Sequence, residues 1–207
     1  MNKDTTEWLR TLIETISIPS GDIPNIELYM DQVTTFMDSR LASAKRYPED
    51  KIMTKTMINN YTKNHLLPPP VKKKYSREHV FLLIIIYRLK NMLSITDIQT
   101  LLAPLEDHYF PKNEQNGLSL KDIYDTLFEE SNQRHALIEE ALLGEWEHSQ
   151  KSFSSRSLSE EEKNYLSDFT FIYHLCYDIY VRKQMIEKLI DERIKQTEDG
   201  DKKRKKK

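Results

Sequence analysis

Apolar positions recur along this chain at the three- and four-residue spacing of amphipathic helices. Asp4-Thr5-Thr6-Glu7 has the form of a capping box, and Trp8, Leu9, Leu12, Ile13 and Ile16 behind it share one helical face. Ser20-Gly21-Asp22, between Pro19 and Pro24, is a turn. Ile26, Tyr29, Met30, Val33, Phe36, Met37 and Leu41 predict a second helix, followed by a polar loop through Tyr47-Pro48-Glu49-Asp50. Thr54 is the expected N-cap of a short third helix reaching Lys63, with Met57, Ile58 and Tyr61 inward. Pro68-Pro69-Pro70 forbids helix, so 66–75 is an extended connector with room for a short strand.

The run Val80 to Tyr87 fits a buried helix or a buried strand by periodicity alone. A cap at Ser76 and continuation through Leu89 and Leu93 favour helix. Ser94-Ile95-Thr96-Asp97 opens another helix, which Pro104 is expected to end, leaving 105–117 as loop. Ser119 caps a helix bearing Ile123, Leu127 and Phe128, and the next has Leu137, Ile138, Ala141, Leu142 and Trp146 on its apolar side. Six serines in the eleven residues Ser149 to Ser159 read as a linker. Ser157-Leu158-Ser159-Glu160 then caps a long helix whose apolar stripe runs from Tyr165 to Ile190, with Cys176 expected on it as a small buried hydrophobe. A stripe of that length predicts a homodimer formed through the C-terminal helices.

Composition removes several function classes. The four glycines (Gly21, Gly117, Gly144, Gly200) are scattered, which excludes a P-loop or a dinucleotide fingerprint. The lone Cys176 excludes an intrachain disulfide and a multi-cysteine zinc site. No two of the six histidines lie three or four residues apart, so a helical two-histidine metal site is absent. No nucleophile elbow occurs, and no constellation supports catalysis; the expectation is a non-enzyme without cofactor or metal. With no secretory signal and no run long enough to span a bilayer, a cytoplasmic, non-membrane protein is expected.

The formal net charge of −2 hides an asymmetry. From Lys51 to His79, seven basic residues stand against one acidic, while from Asp97 to Glu162 fifteen acidic stand against five basic. The chain closes on Lys202-Lys203-Arg204-Lys205-Lys206-Lys207. A basic segment in a near-neutral protein is a candidate anion-facing surface. Within it the short third helix is rich in Thr, Asn and Lys, side chains that reach base edges and phosphates in a major groove. The lysine cluster on the connector suits phosphates.

Residues 25–103 resemble the winged helix of the mercury-resistance-regulator (MerR) family. The correspondence rests on Tyr61, on Leu66-Leu67-Pro68-Pro69 in the turn, on Lys73-Lys74-Tyr75-Ser76 at the wing end, and on Leu89-Lys90, Leu93-Ser94-Ile95, Ile98 and Leu101-Leu102 in the last two helices. More closely, the segment is similar to an uncharacterised bacterial domain of unknown function with a T-x-T-M-I-N-N-Y-x-K core, here Thr54 to Lys63. Asn59 stands where the MerR pattern has arginine, and His65 stands at the turn glycine, where it either accepts the left-handed conformation or shifts the turn. Ala42 to Met53 is an insertion.

The hydrophobic pattern, with the resemblance over 25–103, predicts an all-α protein: an N-terminal helix (1–21), a MerR-like winged helix-turn-helix (22–103), a helical C-terminal region with one long helix (104–198) and a basic tail (199–207). The resemblance implies a sequence-specific regulator of transcription that binds double-stranded DNA through Thr54, Lys55, Thr56, Asn59, Asn60, Lys63, Lys72, Lys73, Lys74, Tyr75 and Arg77. The pattern leaves any small-molecule effector unspecified. The alternative is a non-catalytic interaction module that uses the winged helix and the acidic helices to bind other proteins.

Overall fold

The computed structural model describes residues 3–110 and 117–204, with side chains described for 5–110 and 117–195. It is mostly helical. Helix α1 spans Lys3–Thr15, α2 Met30–Arg40, α3 Lys55–Lys63, α4 Arg77–Leu89, α5 Ile95–Tyr109, α6 Leu120–Gln133, α7 His135–Lys151 and α8 Glu160–Arg204. Two short strands, β1 (Leu28–Tyr29) and β2 (Lys74–Tyr75), pair antiparallel with Leu28 opposite Tyr75 and Tyr29 opposite Lys74. The chain divides into two compact units, residues 10–132 and residues 1–9 with 133–207.

In the first unit, α4 forms the centre. His79 through Ile84 and Ile86 are all buried, so this helix is apolar on every side. That explains why periodicity left its state open, and the capping box at Ser76 settles it as helix. Also buried in this unit are Val33 and Met37 of α2, Ile58 of α3, Leu66 and Leu67, and Ile98 and Leu102 of α5. From α6, the Tyr124 ring stacks on Phe81 at 4.6 Å, and its hydroxyl donates to the Ile18 carbonyl at 2.7 Å. Burial pushes the Tyr124 pKa up to about 12.

Several expectations are corrected here. The second helix starts at Met30 rather than near Ile26, because Leu28 and Tyr29 pair with β2, and Gln32 Oε1 accepts from the Tyr29 amide to cap the later start. Ile26 is consequently exposed. Pro104 does not end α5, which continues to Tyr109. A proline inside a helix removes one hydrogen bond and crowds the preceding turn. Here the far end is tied down by Phe110, whose ring meets His79 edge-on at 4.7 Å. The rest of the expected 105–117 loop includes 111–116, outside the described residues.

In the second unit, α7 and α8 pack along one another. Ser149 and Ser167 are buried, Ser149 Oγ donates to the Trp146 carbonyl at 2.7 Å, and Trp146 meets Phe171 edge-on at 5.3 Å. The expected linker from Ser149 shrinks, because α7 runs on to Lys151. The cap of α8 is one box later than expected: Ser159 and Glu162, not Ser157 and Glu160, exchange the hydrogen bonds. The apolar stripe of α8 is not a core face along its length. Ile190 is buried, whereas Tyr165, Phe169, Ile172, Tyr173, Ile179, Tyr180 and Leu189 are exposed, and so is Cys176. The expected apolar side of α7 is likewise open at Leu137 and Ile138. Of the basic tail, 205–207 lie outside the described residues. Among the described residues no helix is long and apolar enough to cross a membrane.

Candidate nucleic-acid interface

Helix α3 is built to present one polar face. Thr54 Oγ1 accepts from the Met57 amide at 3.2 Å and caps its start. Ile58 and Tyr61 hold the inner side, and burial raises the Tyr61 pKa. Lys55, Thr56, Asn59, Asn60 and Lys63 are left exposed on the outside. The C-terminus closes as a Schellman motif: His65 N donates to Thr62 O at 3.2 Å and Leu66 N to Tyr61 O at 2.8 Å. The motif requires a left-handed residue at His65, whose φ is 54°. Leu66 and Tyr61, which accompany it as the apolar pair, are both buried.

The connector ends in a tight hairpin. Val71 and Lys74 exchange both backbone hydrogen bonds, at 3.1 and 2.9 Å, around Lys72-Lys73. Both central residues have positive φ, 50° and 65°. Two positive φ values in a two-residue loop are the mark of a type I′ turn, which favours Asn-Gly because those residues tolerate the conformation. Lysine does not, and a left-handed non-glycine residue costs roughly 1–2 kcal/mol. Lys72 and Lys73 are thus held at an exposed tip against their own backbone preference. Helix α2 packs against both α3 and β2, so one element carries the polar helix and the base of the hairpin.

The structure does not put every expected residue on this surface. Tyr75 is buried and pairs with Leu28 across the sheet; its pKa is raised by burial. Arg77 turns inward, where its Nη2 donates to the Ser20 carbonyl and its guanidinium lies 5.6 Å from the centre of the Phe81 ring. Thr54 is occupied as a cap. Lys55 and Lys74 are at the surface but carry carboxylate partners, Asp31 and Glu27. Lys74 also sits over the Tyr29 ring at 5.8 Å. Among the described residues, Lys63, Lys72 and Lys73 have no carboxylate within ion-pair distance.

Sequence reasoning missed a cleft of about 440 Å³ beside the start of α3, lined by Thr34, Thr35, Asp38, Ser39, Lys51, Met53, Thr54 and Lys55. Its hydroxyls and two lysines suit an oxyanion backbone. Asp38 there is engaged by Lys45 Nζ at 2.7 Å, and this hydrogen bond lowers its pKa. The signal was present as Thr34-Thr35 on the outer side of α2, one turn from Asp38-Ser39, but nothing in the spacing shows that α3 would lie against them.

His79 anchors the connector from below. Its Nδ1 accepts from the Ser76 amide at 2.9 Å, which leaves the proton on Nε2, and its ring meets Tyr75 edge-on at 5.4 Å. Burial lowers its pKa, against the upward pull of the Pro69 carbonyl, Glu78 and the Pro68 carbonyl. Among the described residues no cluster of three His, Cys, Asp or Glu side chains could hold a metal ion.

A family model described as a domain of unknown function, DUF1836, matches residues 18–127. No curated protein and no solved structure matches the chain.

Proposed function

The chain belongs to this DUF1836 family, and we propose that it is a sequence-specific double-stranded DNA-binding regulator with a MerR-like winged helix. In this reading α3 enters the major groove and the Val71–Lys74 hairpin is the wing. The observation that carries it is the tip of that hairpin. Lys72 and Lys73 occupy left-handed positions where Asn-Gly would cost less, so fold stability does not account for them. Contact with a polyanion does. The strand before α2 pairs with the strand leaving the hairpin, an arrangement that supports a winged helix.

The roles divide by chemistry. Asn59, Asn60 and Thr56 are the candidates for base edges, Asn through bidentate bonds to adenine. Lys63, Lys72 and Lys73 are the candidates for phosphates, and Lys55 and Lys74 can exchange Asp31 and Glu27 for a phosphate. Backbone contacts set register, and base contacts set sequence. Tyr75 and Arg77 support the surface from inside.

The test is binding of the full chain to duplexes by fluorescence anisotropy across a salt series. Lys72→Ala or Lys73→Ala should weaken binding to all duplexes alike and reduce the salt slope by about 0.9. Asn59→Ala should cost about 1–3 kcal/mol on a preferred site and far less on random DNA. Duplex binding insensitive to both lysines, with the fold intact by circular dichroism, removes this function and leaves the interaction-module reading.

A further inference from the structure

Helices α4 and α6 enclose a small apolar pocket. Ile84, Ile85, Arg88 and Leu89 line it from α4, and Tyr124, Leu127, Phe128 and Ser131 line it from α6. The α6 residues fall at the i, i+3, i+4 and i+7 spacing of one helical face. The volume of the pocket is about 180 Å³, and a cavity of roughly 150 Å³ takes a benzene-sized molecule. Ile84 and Tyr124 are buried, whereas Leu127 is 43% exposed, so the pocket is closed at its base and open past Leu127. The Tyr124 ring is held in place by Phe81, on which it stacks at 4.6 Å.

The polar groups of the lining are unequal. Tyr124 donates its hydroxyl proton to the Ile18 carbonyl at 2.7 Å, and Ser131 donates its own to the Leu127 carbonyl at 2.6 Å. Neither has a proton left to offer. Arg88 donates through Nη2 to the Ile16 carbonyl at 2.7 Å. A guanidinium carries five N–H donors, and among the described residues no carboxylate lies within ion-pair distance of Arg88. Burial holds its pKa below the ordinary value, with Tyr124 pulling the other way. Tyr124 titrates at about 12 and is neutral at physiological pH. A partly desolvated cation therefore stands beside an apolar cavity with no anion of its own, while the rest of its side chain remains open to solvent.

We propose that this pocket binds a small monocarboxylate with a compact apolar body, of the benzoate or hexanoate kind. The carboxylate pairs with Arg88, and the body lies among Ile85, Leu89, Leu127 and Phe128. The chemistry of the lining selects this class. A cation is repelled by Arg88. A dianion sets a second charge against isoleucine and leucine, where nothing compensates it. A neutral apolar molecule fills the space but leaves the guanidinium without a counterion. The site does not depend on the DNA-binding reading, and its failure would leave that reading untouched.

The test is titration of the full-length chain, labelled at isoleucine and leucine methyl groups, followed by NMR. The probes are benzoate and hexanoate, each compared with its alcohol, benzyl alcohol and hexanol. Both acids should shift the methyl signals of Ile85, Leu89 and Leu127 saturably, with Kd near or below roughly 1 mM, a level that about eight or nine heavy atoms support. The alcohols should bind roughly tenfold more weakly or worse. Arg88→Gln should erase that difference and leave alcohol binding unchanged. Leu127→Trp, at a half-exposed position, should fill the mouth and abolish binding of acids and alcohols alike with the fold intact by circular dichroism. Acids and alcohols binding the wild type equally would overturn the proposal, and this comparison stands even if Arg88→Gln fails to fold. Saturable shifts centred on other methyl groups, or none up to roughly 10 mM acid, would overturn it too.

Discussion

Replacing Lys72-Lys73 by Asn-Gly separates what the hairpin costs the fold from what it does. Both positions have positive φ, and the loop keeps two good backbone hydrogen bonds between Val71 and Lys74. Each lysine bears roughly 1–2 kcal/mol of left-handed strain. Glycine gives back about 0.5–1 kcal/mol through the freedom it adds to the unfolded chain, and asparagine relieves only part of its strain. The net expectation is about 1–2 kcal/mol of added stability. For a chain of this size that raises the melting temperature by about 2–4 °C per kcal/mol. The same change removes two cations from the tip, so the salt slope of duplex binding should fall by about 1.8 and affinity should fall with it. Differential scanning calorimetry and a salt series of anisotropy titrations measure the two arms. Stability and affinity moving in opposite directions is the signature of strain retained for contact. If Lys72→Asn/Lys73→Gly leaves the salt slope unchanged, the lysines touch no phosphate and the reasoning fails. If it destabilises the protein, the turn is held by something other than its backbone geometry.

Three further outcomes follow from buried groups. Glu106 is half-buried with one carboxylate oxygen unpartnered, and burial, helped by Asp107, lifts its pKa from 4.5 to about 7. The folded state thus holds the proton more tightly than the unfolded chain, so Glu106 makes stability fall as pH rises from about 4.5 to about 7; urea melts of Glu106→Gln should lack that part of the slope. His79 works in the opposite direction: its pKa is lowered by burial, so stability should fall as pH drops below the ordinary value of 6.5. His79→Gln, which keeps a capping-box partner for Ser76, should remove this acid slope in the same melts. Tyr124→Phe leaves the Ile18 carbonyl without its donor and should cost about 1–3 kcal/mol in urea denaturation, with no effect on duplex binding.

The parts of the fold legible in the sequence are those fixed by local chemistry. Thr54 announces α3, Ser76 announces α4, and His65 marks the left-handed residue that closes α3, because caps act within four residues of themselves. The outward placement of Thr56, Asn59, Asn60 and Lys63 is legible for the same reason: Ile58 and Tyr61 fix which side is inward. Features decided by distant partners were not. The strand at Leu28–Tyr29 exists only because Lys74–Tyr75 lies beside it, and α5 passes Pro104 with its far end held against His79. A stripe on α8 reads the same whatever covers it, and the structure leaves Tyr165, Phe169, Ile172, Tyr173 and Tyr180 exposed. Arg77 and Tyr75 sit among lysines in sequence but turn to Ser20 and Leu28 in space. The Lys72-Lys73 turn was illegible because its residues contradict the turn they make.

The central claim, that this surface reads DNA sequence, is tested most directly by selecting duplexes from a fully randomised pool with the full-length chain at physiological salt. The account predicts convergence on a defined motif that Asn59→Ala no longer enriches, while Lys72→Ala lowers recovery without changing the motif. Recovery of a pool indistinguishable in sequence from the input, whether or not DNA is retained, would contradict it.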